Sequence, residues 1–246
     1  MKKIFVNRSQ PIDSENPYWI SFSDIMAGLL VIFILASVFL IIKLSTMEER
    51  VQDAIKEIEQ TNKLRALMLT EIKENLAHKN INVEISENHT VLRIDSDRLY
   101  FESLSYDIPE NQKKLVAEIG YAILDVISQK DRLNYIDTIF IEGHTDSWRT
   151  VSFPMGNWGL AAYRAISVWK YWTEELNEGW RFRKLKNFYG RPLFSVSGYA
   201  ETRPIELNDD TENKRRKNRR IDIRFSMKKP VIKDYENILD ILEMIK

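Results

Sequence analysis

One long apolar segment limits what this chain can fold into. Between Ile25 and Ile42 there are 18 residues without a charge, which make about 27 Å of α-helix, close to the thickness of a bilayer core. A secretory signal peptide would instead have an apolar region of roughly 7 to 15 residues, followed by small residues at a cleavage site. Here Lys43 and a polar sequence follow. The sequence therefore predicts an N-terminal stretch, residues 1–17, and one uncleaved transmembrane helix, residues 18–43.

Asp24 is the only charged residue between Pro17 and Ile42. A carboxylate inside a bilayer costs about 3 kcal/mol on insertion scales, so it is rarely kept without a partner or a function. Small neighbouring residues would let another helix pack closely. These neighbours are Ser21, Ser23, Ala27 and Gly28. Two interpretations follow: an aspartate that reaches the lipid headgroups, or a carboxylate that faces the helices of a partner protein and binds and releases an ion.

Charge and composition limit the location and the class of function. Lys2, Lys3 and Arg8 precede the span, whereas the flank after it mixes both signs. The positive-inside rule then favours a cytoplasmic N-terminus and an exported C-terminal domain. The 36 basic and 36 acidic residues cancel, so no overall field attracts nucleic acid. The absence of cysteine excludes disulfides, thiolate metal sites and a cysteine nucleophile.

An amphipathic linker helix is predicted over residues 44–80. Apolar residues recur there mostly three or four apart, and no Pro or Gly interrupts them. This helix packs on the folded domain or pairs with a second copy, and its irregular heptads argue against a sustained coiled coil. A second amphipathic helix is predicted within residues 229–246, where its apolar stripe would contact a second copy or the domain.

Residues 81–228 alternate between strand and helix patterns. A hairpin or strand pair is predicted over 81–95, and helices over 109–129 and 159–176. Further strands are predicted over 138–143, 193–198 and 220–225. This order predicts an α/β (α+β) domain with a mixed sheet covered by helices on one face. An aromatic and basic insertion, residues 178–190, would close the core or meet glycan.

Four separated motifs in this domain resemble the OmpA C-terminal, peptidoglycan-binding domain, over about residues 90–227. They are Ile141-Glu-Gly-His-Thr-Asp146, Asn157-Trp-Gly-Leu-Ala-Ala-Tyr-Arg164, Val196-Ser-Gly-Tyr-Ala-Glu-Thr-Arg-Pro204 and Asn218-Arg-Arg-Ile-Asp-Ile-Arg-Phe225. Together with the aspartate in the span, the chain resembles the MotB architecture. The segment from Pro17 to Asp24 looks most like the ZorB family of subunits from Zorya antiphage systems.

The resemblance implies that Asp146, Asn157, Leu160 and Arg164 bind peptidoglycan. Diaminopimelate in the peptide stem is a zwitterion, so Asp146 can take its ammonium and Arg164 a carboxylate in bidentate fashion. The helix start near Asn157 offers backbone N–H groups to a carboxylate. Ala161 stands where the family usually has Ser, and the loop after Asp146 is bulky, so these departures would narrow the site or change its preference. The alternative is an Asp–Arg salt bridge that only joins strand to helix.

The resemblance also implies a function. It predicts a non-enzymatic, stator-type subunit of an ion-driven motor in the bacterial inner membrane, with a proton or a sodium ion carried by Asp24 and no other cofactor. The implied partners are a MotA-like (ZorA-like) polytopic subunit, a second copy of the chain, and peptidoglycan. The alternatives are a flagellar MotB-type stator and a passive OmpA-like tether without ion flow.

Metal, hydrolytic and nucleic-acid sites are weaker interpretations. Glu142, His144 and Asp146 share one strand face at period two, but no second cluster completes a metal shell. No Gly-x-Ser-x-Gly elbow occurs, and only three histidines could serve as a base. The basic run from Lys214 to Arg220 falls at a helix-to-strand junction. We therefore expect no enzyme, no bound metal and no nucleic-acid partner.

Overall fold

The structure of this chain is a computed structural model that describes residues 17–94, 99–151 and 153–230. The chain divides into two compact units between Ala54 and Ile55. The predicted N-terminal stretch up to residue 16 and residues 231–246 of the predicted C-terminal helix lie outside the described residues.

Helix α1 spans Pro17–Ala77. No Pro or Gly occurs after Gly28 in this range, so the transmembrane and linker segments, predicted separately, form one helix. The apolar side chains between Ile25 and Ile42 are exposed in the first unit, and by length and composition the helix can cross a membrane. The Ser37 hydroxyl donates to a carbonyl one turn back, so it presents no unpaired donor there.

The second unit contains a five-stranded mixed sheet with the order β1-β2-β5-β3-β4, in which only β3 and β4 pair in parallel. The strands are β1 Val83–Ser86, β2 Val91–Ile94, β3 Ile136–Gly143, β4 Phe194–Gly198 and β5 Ile221–Met227. The helices are α2 Glu110–Ile127, α3 Gly156–Lys170, α4 Gly179–Lys184 and α5 Glu212–Asn218. The predicted fold class is confirmed.

The two faces of the sheet differ in chemistry because successive side chains of a strand point to opposite faces. On one face Ile139, Ile141 and Ile223 are buried in the hydrophobic core with residues of α2 and α3. The opposite face carries charges: Glu142 of β3 and Asp222 of β5 are cross-strand neighbours and both are buried. The helices therefore cover the apolar face, and ion pairs occupy the other.

The end of α1 belongs to the folded domain. Its fully buried core residues are Met68, Leu69, Ile72 and Leu76. Glu71 accepts two hydrogen bonds from Arg132, at 2.7 and 2.9 Å, and Arg65 Nε donates to the His89 carbonyl at 2.7 Å. The domain therefore reaches back beyond the predicted boundary at residue 81, because this stretch of helix supplies part of the core.

Two other segments differ from the sequence-based expectation or refine it. The helix predicted over 159–176 begins earlier, as α3, and changes to a π-helical turn, Tyr171–Glu175, after Lys170. Within the insertion, α4 places Phe182 in the core, where its ring stacks on Trp172 with centroids 5.4 Å apart. The insertion thus closes the core, one of its two predicted roles.

We expect Ile72→Ala to destabilise the domain by about 2 to 5 kcal/mol, because it removes a fully buried side chain from a packed core. Ile55→Ala is the matched control on the same helix: Ile55 is 50% exposed, and we expect a change of about 0.5 kcal/mol or less. Urea unfolding of the full chain in detergent, followed by tryptophan fluorescence, measures both. Equal effects would show that this helix end is not part of the domain core.

Candidate functional site

Asp146 lies just beyond the end of β3 and is buried against Arg219. Its Oδ2 accepts from Arg219 at 2.7 Å, and its Oδ1 accepts from the backbone N–H of Trp148 at 3.2 Å. Arg219 also donates to Glu212. The Asp146 carboxylate therefore pairs with Arg219, and the alternative salt bridge between Asp146 and Arg164 is not formed.

Arg164 is fully buried in α3, and within the described part of the chain its guanidinium donates only to backbone carbonyls. These belong to Ser105 at 3.0 Å, Glu102 at 3.2 Å and His144 at 3.3 Å. Burial, assisted by nearby Arg219 and opposed by Asp146, lowers the pKa of Arg164 to about 10. The group stays charged at neutral pH, with no carboxylate of the described residues within ion-pair distance.

A close backbone contact between strand and helix positions Arg164. A Cβ atom added at Gly143 would lie 1.9 Å from the carbonyl oxygen of Ala161, so only glycine allows this approach of β3 and α3. Ala161 is itself fully buried. The departure from the family's usual Ser at Ala161 therefore falls at a packing contact with β3.

Asn157 and Leu160 are both buried on the first turns of α3. The Asn157 amide donates to Glu201 at 2.9 Å and to the Asp146 carbonyl at 3.4 Å, and its oxygen accepts from the N–H of Thr150 at 3.2 Å. Asn157 thus fixes the loop after Asp146. The structure brings Asp146, Asn157 and Arg164 together around the end of β3.

Two polar residues at this site received no role from sequence reasoning. Thr145 Oγ1 and Arg219 Nε are buried without a hydrogen-bond partner in the described part of the chain. Thr145 precedes Asp146 and Arg219 follows Asn218, so both lie within motifs that resemble the family, and their position there was a signal for a role in the site. The carbonyls of Glu102 and Ser105 had no such signal, because any residue type supplies them.

On the polar face of the sheet the acidic side chains pair with arginines, so they are not free to bind a metal ion. Glu142 accepts two hydrogen bonds from Arg224, at 2.7 and 3.0 Å, while Asp222 accepts from Arg93 and Arg220. Within residues 17–94, 99–151 and 153–230, no group of three potential ligands could hold a metal ion.

The basic run is largely neutralised within the domain. Arg219 pairs with Asp146 and Glu212, and Arg216 lies over the Tyr100 ring at 4.0 Å. The other pairs are Lys214–Asp210, Arg215–Glu212, Lys217–Glu206 and Arg220–Asp222. These contacts leave little free positive charge for nucleic acid.

Asp24 lies on α1 with its side chain exposed. Among the residues that the structure describes, no hydrogen bond or ion pair involves it. A Cβ atom added at Gly28, one turn further on, would meet nothing within 4 Å. The neighbourhood of Asp24 is therefore open to another helix.

Comparison with known proteins gives consistent matches. A model of the OmpA family matches residues 100–219. YtxE of Bacillus subtilis, an uncharacterized protein, is 27% identical over 173 residues, which cover 70% of this chain. Zorya protein ZorB of Escherichia coli is 23% identical over 210 residues, which cover 83% of this chain. The chain spans 62% of the length of YtxE, less than two thirds, and 86% of the length of ZorB.

A solved structure is also similar to part of the chain. The periplasmic domain of Helicobacter pylori MotB is 23% identical and aligns over 68% of this chain and 92% of that domain, with a TM-score of 0.47.

We expect His144 to make the stability of the domain depend on pH. Burial, assisted by Arg220 and opposed by Asp222, lowers the pKa of His144 from 6.5 to about 3. Between these pH values the unfolded chain binds a proton at His144 that the folded chain does not. The contribution of His144 to the free energy of unfolding is therefore fully present above about pH 6.5 and is lost as the pH falls towards 3.

The test is His144→Gln, which cannot take up this proton. Between pH 5 and 6.5 the free energy of unfolding should fall less steeply with acid in the variant than in the wild type, by up to about 1.4 kcal/mol per pH unit. Urea titrations of the full chain at several pH values measure both slopes. Identical slopes would contradict the prediction.

Proposed function

We propose that this chain, a MotB-like protein that carries an OmpA-family domain and resembles ZorB, is the stator-type subunit of an ion-driven motor anchored to peptidoglycan. In this role it would cross the bacterial inner membrane once, with its N-terminus in the cytoplasm and its domain in the periplasm. The proposal assigns no bond-making chemistry to the chain and no cofactor other than the ion it carries.

One observation carries the proposal. The same chain has Asp24 in an apolar helix of membrane length and, in its folded domain, a buried Arg164 that forms no ion pair with a carboxylate of the described residues. A tether needs only the span and the domain. An aspartate near lipid is an added cost that a passive tether has no reason to keep. Ion binding at Asp24 gives that cost a function.

At the wall end, Arg164 is the proposed acceptor of a stem-peptide carboxylate. A guanidinium has five N–H donors, and the carbonyls of Glu102, Ser105 and His144 occupy three. A ligand carboxylate would use the remaining donors and supply the missing counter-charge in a site shielded from water. Because Arg164 is fully buried, a ligand would reach it only after residues that cover it move.

The ammonium of a zwitterionic stem would bind next to Asp146. This carboxylate accepts from Arg219 and from the backbone of Trp148, and its oxygens retain lone pairs for a further donor. The Thr145 hydroxyl beside it, which has no hydrogen-bond partner among the described residues, would bond to the ligand. Asn157 keeps the loop in place, and Leu160 lies on the same side of α3 as Arg164.

At the membrane end, Asp24 would carry the ion at the interface with a polytopic MotA-like (ZorA-like) subunit. The small residues Ala27 and Gly28 leave room for a neighbouring helix. We propose a proton rather than a sodium ion, and two copies of the chain whose aspartates act alternately while their domains grip the wall. The resemblance to ZorB, over 86% of its length, supports a role in Zorya antiphage defence rather than in swimming.

We expect Asp24→Asn to abolish function and to leave wall binding intact, because it keeps the side-chain shape but removes the ionisable group. Protection against phage is measured as plaque number in cells that express the chain with its neighbouring genes, and wall binding by sedimentation with purified peptidoglycan. Asp24→Glu, which keeps a carboxylate, is the control and should retain part of the protection. Full protection by the Asn variant would favour the passive tether.

We expect Arg164→Ala to weaken binding to purified peptidoglycan by about ten- to a hundredfold, the value of a charge-assisted hydrogen bond. Arg164→Lys should be intermediate because ammonium cannot bind a carboxylate bidentately. Arg191→Ala, at an exposed position, is the matched control and should bind like the wild type.

Arg164→Ala also leaves the carbonyls of Glu102, Ser105 and His144 without their donor, so circular dichroism and a thermal melt must accompany the binding assay. Asp146→Asn provides a second, nearly isosteric test of the same site. Unchanged sedimentation by folded Arg164→Ala and Asp146→Asn variants would exclude this site as the wall contact.

A further inference from the structure

Three aromatic rings from three different segments meet at Tyr163, the residue before Arg164 in α3. Tyr106 lies before α2, Phe153 in the loop before α3, and Tyr163 on α3. The ring centroid of Tyr163 is 5.4 Å from those of both other rings, and the centroids of Tyr106 and Phe153 are 5.9 Å apart. We call these three residues the aromatic cluster.

Each member of the aromatic cluster neighbours a residue that shapes the proposed wall site. Tyr106 follows Ser105, whose carbonyl accepts from Arg164, and Tyr163 directly precedes Arg164. Phe153 belongs to the loop that Asn157 fixes through the N–H of Thr150. The aromatic cluster is therefore connected through the backbone to residues of the proposed wall site.

The aromatic cluster is not part of the hydrophobic core. Tyr163 is 45% exposed and Tyr106 is 38% exposed. Within the described residues, neither hydroxyl makes a hydrogen bond. Exposed aromatic rings whose polar tips point to solvent are typical of surfaces that bind amphipathic ligands.

We propose that the aromatic cluster is a sugar-binding subsite for the glycan strand, a proposal that rests on the proposed function. A pyranose ring offers an apolar C–H face that packs on an aromatic ring and a rim of hydroxyls that bond to phenol groups. The peptide stem is covalently attached to such a sugar, so a stem held by Arg164 brings its sugar into this neighbourhood. The cluster contains no charged group, which fits an uncharged ring better than a further ionic group of the stem.

The test compares two ligands that differ only in the sugar. One is a diaminopimelate-containing tetrapeptide stem, and the other is the same peptide attached to its N-acetylglucosamine–N-acetylmuramic acid disaccharide. Calorimetry with the full chain in detergent micelles should give a dissociation constant about three- to tenfold lower for the second ligand, the value of one or two aromatic contacts.

Variants identify the ring responsible. Tyr163→Ala should remove the advantage of the disaccharide and leave the affinity for the free peptide unchanged within about twofold. Tyr163→Phe keeps the ring and should retain most of the advantage. Tyr189→Ala is the matched control, since Tyr189 is 47% exposed and lies in the insertion.

The outcomes separate the two proposals. If the wild type binds the free peptide and the disaccharide adds nothing, the sugar subsite is wrong and wall binding stands. If Tyr163→Ala weakens both ligands equally, the ring supports the Arg164 pocket and contacts no sugar, which also overturns the subsite. If Tyr163→Ala instead lowers the mass of the particle in light scattering, the rings contact a second copy of the chain. Binding of neither ligand would overturn both proposals.

Discussion

The guanidinium of Arg164 joins three separate parts of the chain. It lies on α3 and donates to the end of β3 at His144 and to the segment of Glu102 and Ser105. A buried charge is tolerated only when hydrogen bonds replace its lost hydration, so these carbonyls must stay where they are. The same demand fixes the backbone contact of Gly143 with Ala161, because any separation of strand and helix would move the charge away from its partners.

This dependence explains how the other polar residues of the site are arranged. With Arg164 occupied by carbonyls, Asp146 is left to Arg219, and Arg219 in turn reaches Glu212 on α5. Asp146, Arg219 and Glu212 therefore form a network of ion pairs, whereas Arg164 on α3 forms no ion pair with a carboxylate of the described residues. Sequence reasoning expected Asp146 and Arg164 either to face a ligand or to pair with each other, and it did not foresee Arg219 as the partner of Asp146 or the carbonyls as the partners of Arg164.

The parts of the fold that could be predicted from sequence are those in which apolar residues recur at the spacing of a strand or a helix. The alternation in β5 and the apolar positions of α2 indicated a mixed sheet with helices on one face, as observed. The end of α1 could not be separated from a linker, because Ile72 in the core and Ile55 at the surface follow the same helical spacing. Burial depends on what lies opposite, and a single sequence does not contain that information.

Asp24 and Arg164, the two residues to which the proposed function assigns a ligand, present the same physical situation. For each of them the described residues supply no opposite charge within ion-pair distance, and each is costly to keep in its surroundings. Under the proposed function each deficit is met from outside, at Asp24 by a carried cation and at Arg164 by a carboxylate of the wall. The missing counter-charge destabilises the isolated chain but strengthens binding in the complex. A ligand that supplies this charge contributes more binding free energy than one that must compete with an existing ion pair.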